Sequence, residues 1–291
     1  MVSSVPAEIV KAIQPQTRSG ITGFSFSSGG SINKGGRITS DGAIHYFLKW
    51  NDLKKFPGMF EREAKGLAML SESKSLFVPK VLLAGDAGPY QFLLLEYIDE
   101  GPRRRNYWPD FGSGLAALHR TSAKHFGLEY DNYIGSLPQS NSQSSSWIEF
   151  FIERRLKFQL KLAIDAHNVE RSLAGKFEIL FSKLPSLLPE ERPSLLHGDL
   201  WGGNVMVTAE GTPCLIDPAV YYGHREVDLA MTRLFGGFDF AFMDSYNEAY
   251  PLLQGYEDRF DLYNLYPLLV HVNLFGGGYV TQVLSILKKF V

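Results

Sequence analysis

The stretch Leu195-Leu196-His197-Gly198-Asp199-Leu200-Trp201-Gly202-Gly203-Asn204-Val205-Met206 constrains this chain more than any other. It sets one carboxylate, Asp199, and one amide, Asn204, in a glycine-rich loop between two short apolar runs. A further apolar run, Cys214-Leu215-Ile216, follows and ends in Asp217-Pro218. Short apolar runs bounded by polar and glycine residues read as strands. Two such strands around a polar loop predict that Asp199, Asn204 and Asp217 come together.

Phosphoryl transfer requires that set of side chains. One Asp accepts the proton of the acceptor hydroxyl, and an Asn and a second Asp hold Mg²⁺ against the nucleotide phosphates. The stretch is a variant of H-R-D-x-x-x-x-N followed by D-F-G. Here the pieces read His197-Gly198-Asp199 and Asp217-Pro218-Ala219. Gly for Arg and Pro for Phe depart from the protein-kinase form and match small-molecule kinases of the same superfold. Asp199 is therefore the candidate base, with Asn204 and Asp217 as candidate metal ligands.

Upstream, Ser27-Ser28-Gly29-Gly30-Ser31 lies between two strand-like runs. Glycines there let backbone N–H groups approach phosphates closely, so Gly29, Gly30 and Ser31 are candidate nucleotide contacts. Ile44 to Trp50 reads as a strand with Lys49 embedded among apolar and aromatic residues, and Phe60 to Leu70 reads as a helix. A strand lysine paired to a helix glutamate positions nucleotide phosphates in kinase-like folds. Lys49 fits the first role, and Glu63, or as second choice Glu61, the second. Gln91 to Ile98 is a strong strand ending in the linker Asp99-Glu100-Gly101-Pro102. The nucleotide base is expected beside Glu96, Tyr97 and Ile98, on their backbone. The linker divides the chain into an N-terminal nucleotide-binding lobe, 1–98, and a C-terminal catalytic and acceptor-binding lobe, 99–291.

Composition narrows the function class. The 291 residues carry 29 basic and 31 acidic side chains, a net charge of −2. That balance builds no large positive field for nucleic acid or an anionic membrane. No run of about twenty apolar residues predicts a membrane span. The single cysteine, Cys214, excludes an internal disulfide and points to a reducing, cytoplasmic setting; its apolar neighbours suggest a buried, inert thiol.

The remaining chain reads as mostly helical. Helices are expected over 110–120, 147–166, 173–188, 238–250 and 260–275, and an opening helix over 5–13. Residues 126–135 read as a turn-rich loop and 138–146 as a polar surface loop. His119, at a helix end, reads as a structural hydrogen-bonding residue. Asp228 opens an apolar helix, where it caps the helix or, as the favoured reading, braces the catalytic loop from behind. His271 and Asn273 lie among aromatics, the surroundings a sugar-like ligand uses.

Several pieces together resemble the fructosamine kinase (ketosamine-3-kinase) family. They are Phe47-Leu48-Lys49-Trp50-Asn51, Asp131-Asn132-Tyr133-Ile134-Gly135-Ser136-Leu137-Pro138-Gln139, His197 to Asn204, Ile216-Asp217-Pro218-Ala219, Gly223 to Met231 and Asn273-Leu274-Phe275-Gly276-Gly277. The resemblance implies an α+β, bilobal protein-kinase-like fold: an antiparallel N-lobe sheet with one main helix, and a larger, mostly helical C-lobe. It implies transfer of the ATP γ-phosphate to the 3-hydroxyl of a ketosamine, free or protein-bound, after which the unstable 3-phosphate eliminates and frees the amine. Trp201 would lie on the acceptor-sugar side. Some members carry a cysteine in the glycine-rich hairpin that links two chains; Ser31 stands there in this sequence, so a monomer or weak homodimer is expected. Two other readings share the catalytic block. One is a kinase of another small alcohol, such as an aminoglycoside or amino sugar. The other is a nucleotide-binding module without catalysis.

Overall fold

A computed structural model describes residues 4–17, 20–27 and 33–291. Gly29, Gly30 and Ser31 lie outside the described residues. The chain divides into two compact units, Met1–Arg105 with Met206–Asp217, and Asn106–Val205 with Pro218–Val291.

The first unit opens with α1 (Ala7–Ile13), then β1 (Ile21–Phe26), β2 (Lys34–Ser40), β3 (His45–Asp52), α2 (Met59–Glu72), β4 (Val81–Ala87) and β5 (Tyr90–Glu96). The strands form one antiparallel sheet in the order β1-β2-β3-β5-β4. Side chains alternate across a strand. Leu48 and Trp50 of β3 join Ile38, Phe92 and Leu94 in the core that packs on Ile9 and Ile13 of α1. Lys49, between them, therefore belongs to the opposite face. Helix α2 starts where Gly58 takes a left-handed φ of 69°, and the buried Gln91 accepts the Phe60 N–H at 3.3 Å. β4 runs on to Ala87, which leaves a tight turn before β5. β5 ends at Glu96, so Tyr97 and Ile98 lie past the strand.

The second unit begins with α3 (Tyr107–His119) and the hairpin β6 (Asn132–Ile134) and β7 (Leu137–Gln139). Next, α4 (Trp147–Phe150) passes through a π-helical segment, Phe151–Leu156, into α5 (Lys157–Asp165), and α6 (Leu173–Leu187) follows. After β8 (Ser194–Leu196), the paired strands β9 (Val205–Val207) and β10 (Pro213–Leu215) span the segment that returns to the first unit. β11 (Tyr221–Gly223) pairs with β8, and α7 (Glu226–Leu234), α8 (Phe240–Ala249), α9 (Tyr256–Phe275) and α10 (Gly278–Phe290) complete the chain.

One expectation is corrected here. The stretch 126–146 is a polar surface loop only at its end, where Ser142, Gln143, Ser145 and Ser146 are exposed. It holds the β6–β7 hairpin, and Gln139 and Asn141 are 1% and 0% exposed. Their polar groups bond to other buried polar groups instead of water, as burial requires, and no hydrophobic period announces it.

Around the start of α7 the core is charged. Arg225 forks onto Glu191 with two 2.8 Å bonds, and Arg259 forks onto Glu226 at 2.8 and 2.6 Å. His224, fully buried beside them, accepts the Glu226 N–H on Nδ1 at 3.3 Å, which assigns its proton to Nε2. Burial pushes its pKa down to about 4; Glu191 opposes that, and Arg225 and Arg259 add to it. The unfolded histidine takes up a proton near 6.5. Between these values the unfolded state binds the extra proton, so stability rises with pH. The contribution is complete above about pH 6.5 and is lost as pH falls toward 4. We expect the wild-type protein to lose about 2 kcal/mol more between pH 7 and 5 than His224→Phe does. Urea denaturation at the two pH values measures this, and equal losses would rule His224 out as the titrating group.

Candidate active site

In the first unit, Lys49 is 7% exposed and its Nζ lies 2.7 Å from Glu63 Oε1. The same ammonium also pairs with Asp217. Burial alone would depress the lysine, but the Asp217 and Glu63 carboxylates outweigh it and hold Lys49 well above its ordinary value, so it stays charged. Burial pushes Glu63 upward; the Lys49 ammonium opposes this and Asp217 reinforces it. Glu61 instead pairs with Lys65 at 2.7 Å on the exposed side of α2, so the glutamate that meets Lys49 is Glu63. Asp217 has φ +53°, a conformation non-glycine residues seldom adopt. Glu96 and Tyr97 spend their side chains locally. Glu96 Oε1 accepts the Lys80 N–H at 2.7 Å, and the Tyr97 ring meets His45 edge-on. Ile98 is half-buried just past them. Cys214, buried in β10, has its thiol pushed up to about 12 by burial, with Glu96 adding to it.

In the second unit the loop after β8 is held from within. Asp228, fully buried on α7, accepts the His197 N–H at 2.7 Å and the Gly198 N–H at 2.9 Å. Its Oδ2 also lies 3.2 Å from His119 Nε2, and the other ring nitrogen of His119 meets Tyr246 Oη at 2.8 Å. Asp228 thus braces the loop and lies inside α7 rather than at its cap. Gly198 has φ +81°, and a Cβ there would fall 2.1 Å from the Ala219 carbonyl oxygen. Only glycine fits. Asn204 donates from Nδ2 to the Asp199 carbonyl at 2.9 Å and to Asp199 Oδ2 at 2.8 Å. Its amide is thereby oriented, with both bonds made by Nδ2.

A narrow recess beside this loop is lined by Gly198, Asp199, Ile134, Met231, Tyr266 and His271. His271 donates from Nδ1 to the Pro267 carbonyl at 2.7 Å, which leaves an acceptor lone pair on Nε2. Burial lowers its pKa, against the Pro267 bond, and favours this neutral form. Trp201, 38% exposed, meets Phe235 edge-on, and Phe235 packs on His271. Asn273 does not share the recess. Its Nδ2 donates to the backbone and side chain of Gln159 on α5 at 2.9 and 2.8 Å. Residues two apart on a helix do not face the same way, so His271 and Asn273 part company.

Comparison with known proteins shows the family. The fructosamine kinase family model matches residues 5–291. The chain belongs to the fructosamine kinase family. A relative named "Probable ketoamine kinase" from Synechocystis sp. is 42% identical over 268 residues, 90% of this chain and 88% of that one. The chloroplastic protein-ribulosamine 3-kinase of Arabidopsis thaliana is 40% identical over 278 residues, 93% and 83% of the two chains. The crystal structure of a candidate fructosamine-3-kinase from Haemophilus somnus superposes with a TM-score of 0.88 at 29% identity, over 97% of this chain and 96% of the other. Choline kinase LicA of Streptococcus pneumoniae shares the fold alone, with a TM-score of 0.67 at 16% identity over 97% of both chains. The fructosamine kinase chain thus has the α+β kinase-like fold expected of it.

The double acceptance of backbone N–H groups by Asp228 is the bracing favoured from its place at the start of an apolar helix. The buried amide group around Asn132 and Gln139 was not readable from residue order, because no pattern signals it.

Proposed function

We propose that this protein transfers the γ-phosphoryl group of ATP to the 3-hydroxyl of a ketosamine, free or protein-bound. Family membership and the names of its relatives support the substrate class. The observation that carries the chemistry is Asp199, oriented by Asn204 Nδ2 and lining a narrow recess. In this reading Asp199 takes the hydroxyl proton as that oxygen bonds to Pγ, and the bond from Pγ to the β–γ bridging oxygen breaks to release ADP. Lys49, fixed by Glu63, neutralises phosphate charge. The backbone of Gly29, Gly30 and Ser31 cradles the phosphates, and that of Glu96, Tyr97 and Ile98 meets the base. Trp201 and His271 face the acceptor, with Nε2 of His271 available to a sugar hydroxyl.

The donor set fits Mg²⁺. Asn204 Oδ1 and the Asp217 carboxylate are hard oxygen donors, and magnesium sites on triphosphates take one or two protein ligands, the rest being phosphate and water. When bound, the ion neutralises charge on the β- and γ-phosphates. Among the described residues no helix is long and apolar enough to cross a membrane. A reducing cytoplasm is the setting proposed, supported by the single buried thiol.

Phosphorylation assays with fructoselysine, ribuloselysine, an aminoglycoside and choline test the reading. Turnover at least tenfold higher in kcat/KM with a ketosamine is expected. Preference for the aminoglycoside or choline would replace the proposed acceptor, and ATP hydrolysis indifferent to any acceptor would remove it.

A further inference from the structure

Asn132 and Gln139 of the hairpin β6–β7 have no part in the chemistry above, yet both are buried and donate to the chain beyond Asp217. Asn132 and Gln139 face each other across the hairpin. Asn132 Nδ2 donates to the Val220 carbonyl at 2.8 Å, and Gln139 Nε2 donates to the Ala219 carbonyl at 3.1 Å. Both amides are locked in orientation. Asn132 Oδ1 accepts from Gln139 Nε2 at 2.8 Å and from Asn141 Nδ2 at 2.9 Å, and Gln139 Oε1 accepts from Tyr266 Oη at 2.6 Å.

Behind Asn141 stands Arg155, with no exposed surface. Its Nη2 donates to Asn141 Oδ1 at 2.7 Å, and its guanidinium lies 4.0 Å from the Tyr221 ring centre. Among the described residues no carboxylate forms an ion pair with it. The order is directional: Arg155 donates to Asn141, Asn141 to Asn132, and Asn132 to Val220. A cation at the head of such a chain polarises each amide in turn and strengthens the last donation.

The target of these donations explains their use. Asp217 keeps a left-handed backbone at φ +53°. Strained conformations persist only where their surroundings over-determine them. Just beyond it, the Ala219 N–H donates to the His197 carbonyl at 2.9 Å, and the Ala219 carbonyl sits where a Cβ on Gly198 would be. Pinning the Ala219 and Val220 carbonyls leaves the chain after Asp217 one path.

We infer that Asn132, polarised from Arg155 through Asn141, and Gln139, which donates to the Ala219 carbonyl, are positioning residues that hold the chain after Asp217 so that its carboxylate is set for the metal ion. The inference rests on the kinase reading, in which Asp217 is a metal ligand. It is tested by calorimetric titration with the β,γ-imido analogue of ATP, in EDTA and in excess Mg²⁺, with urea denaturation alongside. Gln139→Glu replaces the donor to Ala219 with an acceptor of the same shape. We expect binding in EDTA within about twofold of wild type and binding in Mg²⁺ about tenfold weaker. The Mg²⁺ concentration for half-maximal turnover should rise by a similar factor, more than kcat falls. Should Gln139→Glu not fold, Asn141→Ser breaks the relay one step back, and about threefold weaker binding confined to Mg²⁺ is expected. Equal changes in EDTA and Mg²⁺, or no change in a folded variant, would overturn the inference and leave the kinase reading standing. Wild-type protein that binds the analogue equally with and without Mg²⁺ would overturn the metal reading itself, and this inference with it.

Discussion

Asp199→Asn is expected to lower kcat by about 10³- to 10⁴-fold, the upper range for loss of a general base. The replacement is nearly isosteric. Its remaining oxygen can still accept from Asn204 Nδ2, which lies 2.8 Å from Asp199 Oδ2 in the native loop. The loop itself is held from Asp228 through the His197 and Gly198 N–H groups, and Asp199 contributes nothing to that brace. The variant should therefore fold with an unchanged urea midpoint and bind the β,γ-imido analogue of ATP within about threefold of wild type. What it loses is the group that takes the hydroxyl proton, together with one negative charge. Steady-state kinetics with a ketosamine at saturating ATP read the effect. A variant within tenfold of wild-type kcat would show that the proton leaves by another route.

Much of this site is legible in residue order because its geometry is local. Asp199 and Asn204 are five positions apart in one loop, so their juxtaposition follows from the loop alone. Lys49 and Glu63 are separated by fourteen positions, but a strand followed by one helix brings them together, and the apolar surroundings of Lys49 mark it as buried. Choosing Glu63 over Glu61 needed the helix's actual rotation, since the two differ by two positions and so by half a turn. The same geometry separates His271 from Asn273, which residue type alone placed together. The stretch 126–146 was opaque for a different reason. Periodicity reports the burial of apolar side chains, whereas Asn132, Gln139 and Asn141 are buried by hydrogen bonds to one another and to distant carbonyls. A polar run that satisfies itself inside the protein has the composition of a surface loop. The buried pairs of Arg225 with Glu191 and Arg259 with Glu226 escaped for the same reason: charges 34 and 33 positions apart carry no local pattern.

Asp228→Asn should cost about 3 kcal/mol of unfolding free energy, toward the top of the range for orphaning a buried donor. The carboxylate is acceptor-only, and both oxygens are in use. Oδ1 takes the Gly198 N–H, and Oδ2 takes the His197 N–H while facing His119 Nε2. An asparagine in the same space carries an NH₂ in place of one oxygen. If that NH₂ takes the Oδ1 position, it confronts the Gly198 N–H. If it takes the Oδ2 position, it confronts the His197 N–H, and a change of tautomer at His119 relieves only the ring contact. In either orientation one backbone N–H at the root of the catalytic loop is left buried without an acceptor. Gly198 has no room to move away, because it lies against the Ala219 carbonyl. The loop must therefore shift as a whole and take Asp199 with it, so kcat should fall at least tenfold in protein that is still folded. Urea denaturation and turnover at saturating substrates, measured on the same preparation, separate the two effects. An unchanged midpoint would show that Asp228 does not bear on the loop's stability, and an unchanged kcat in a destabilised variant would show that the brace does not set the position of Asp199.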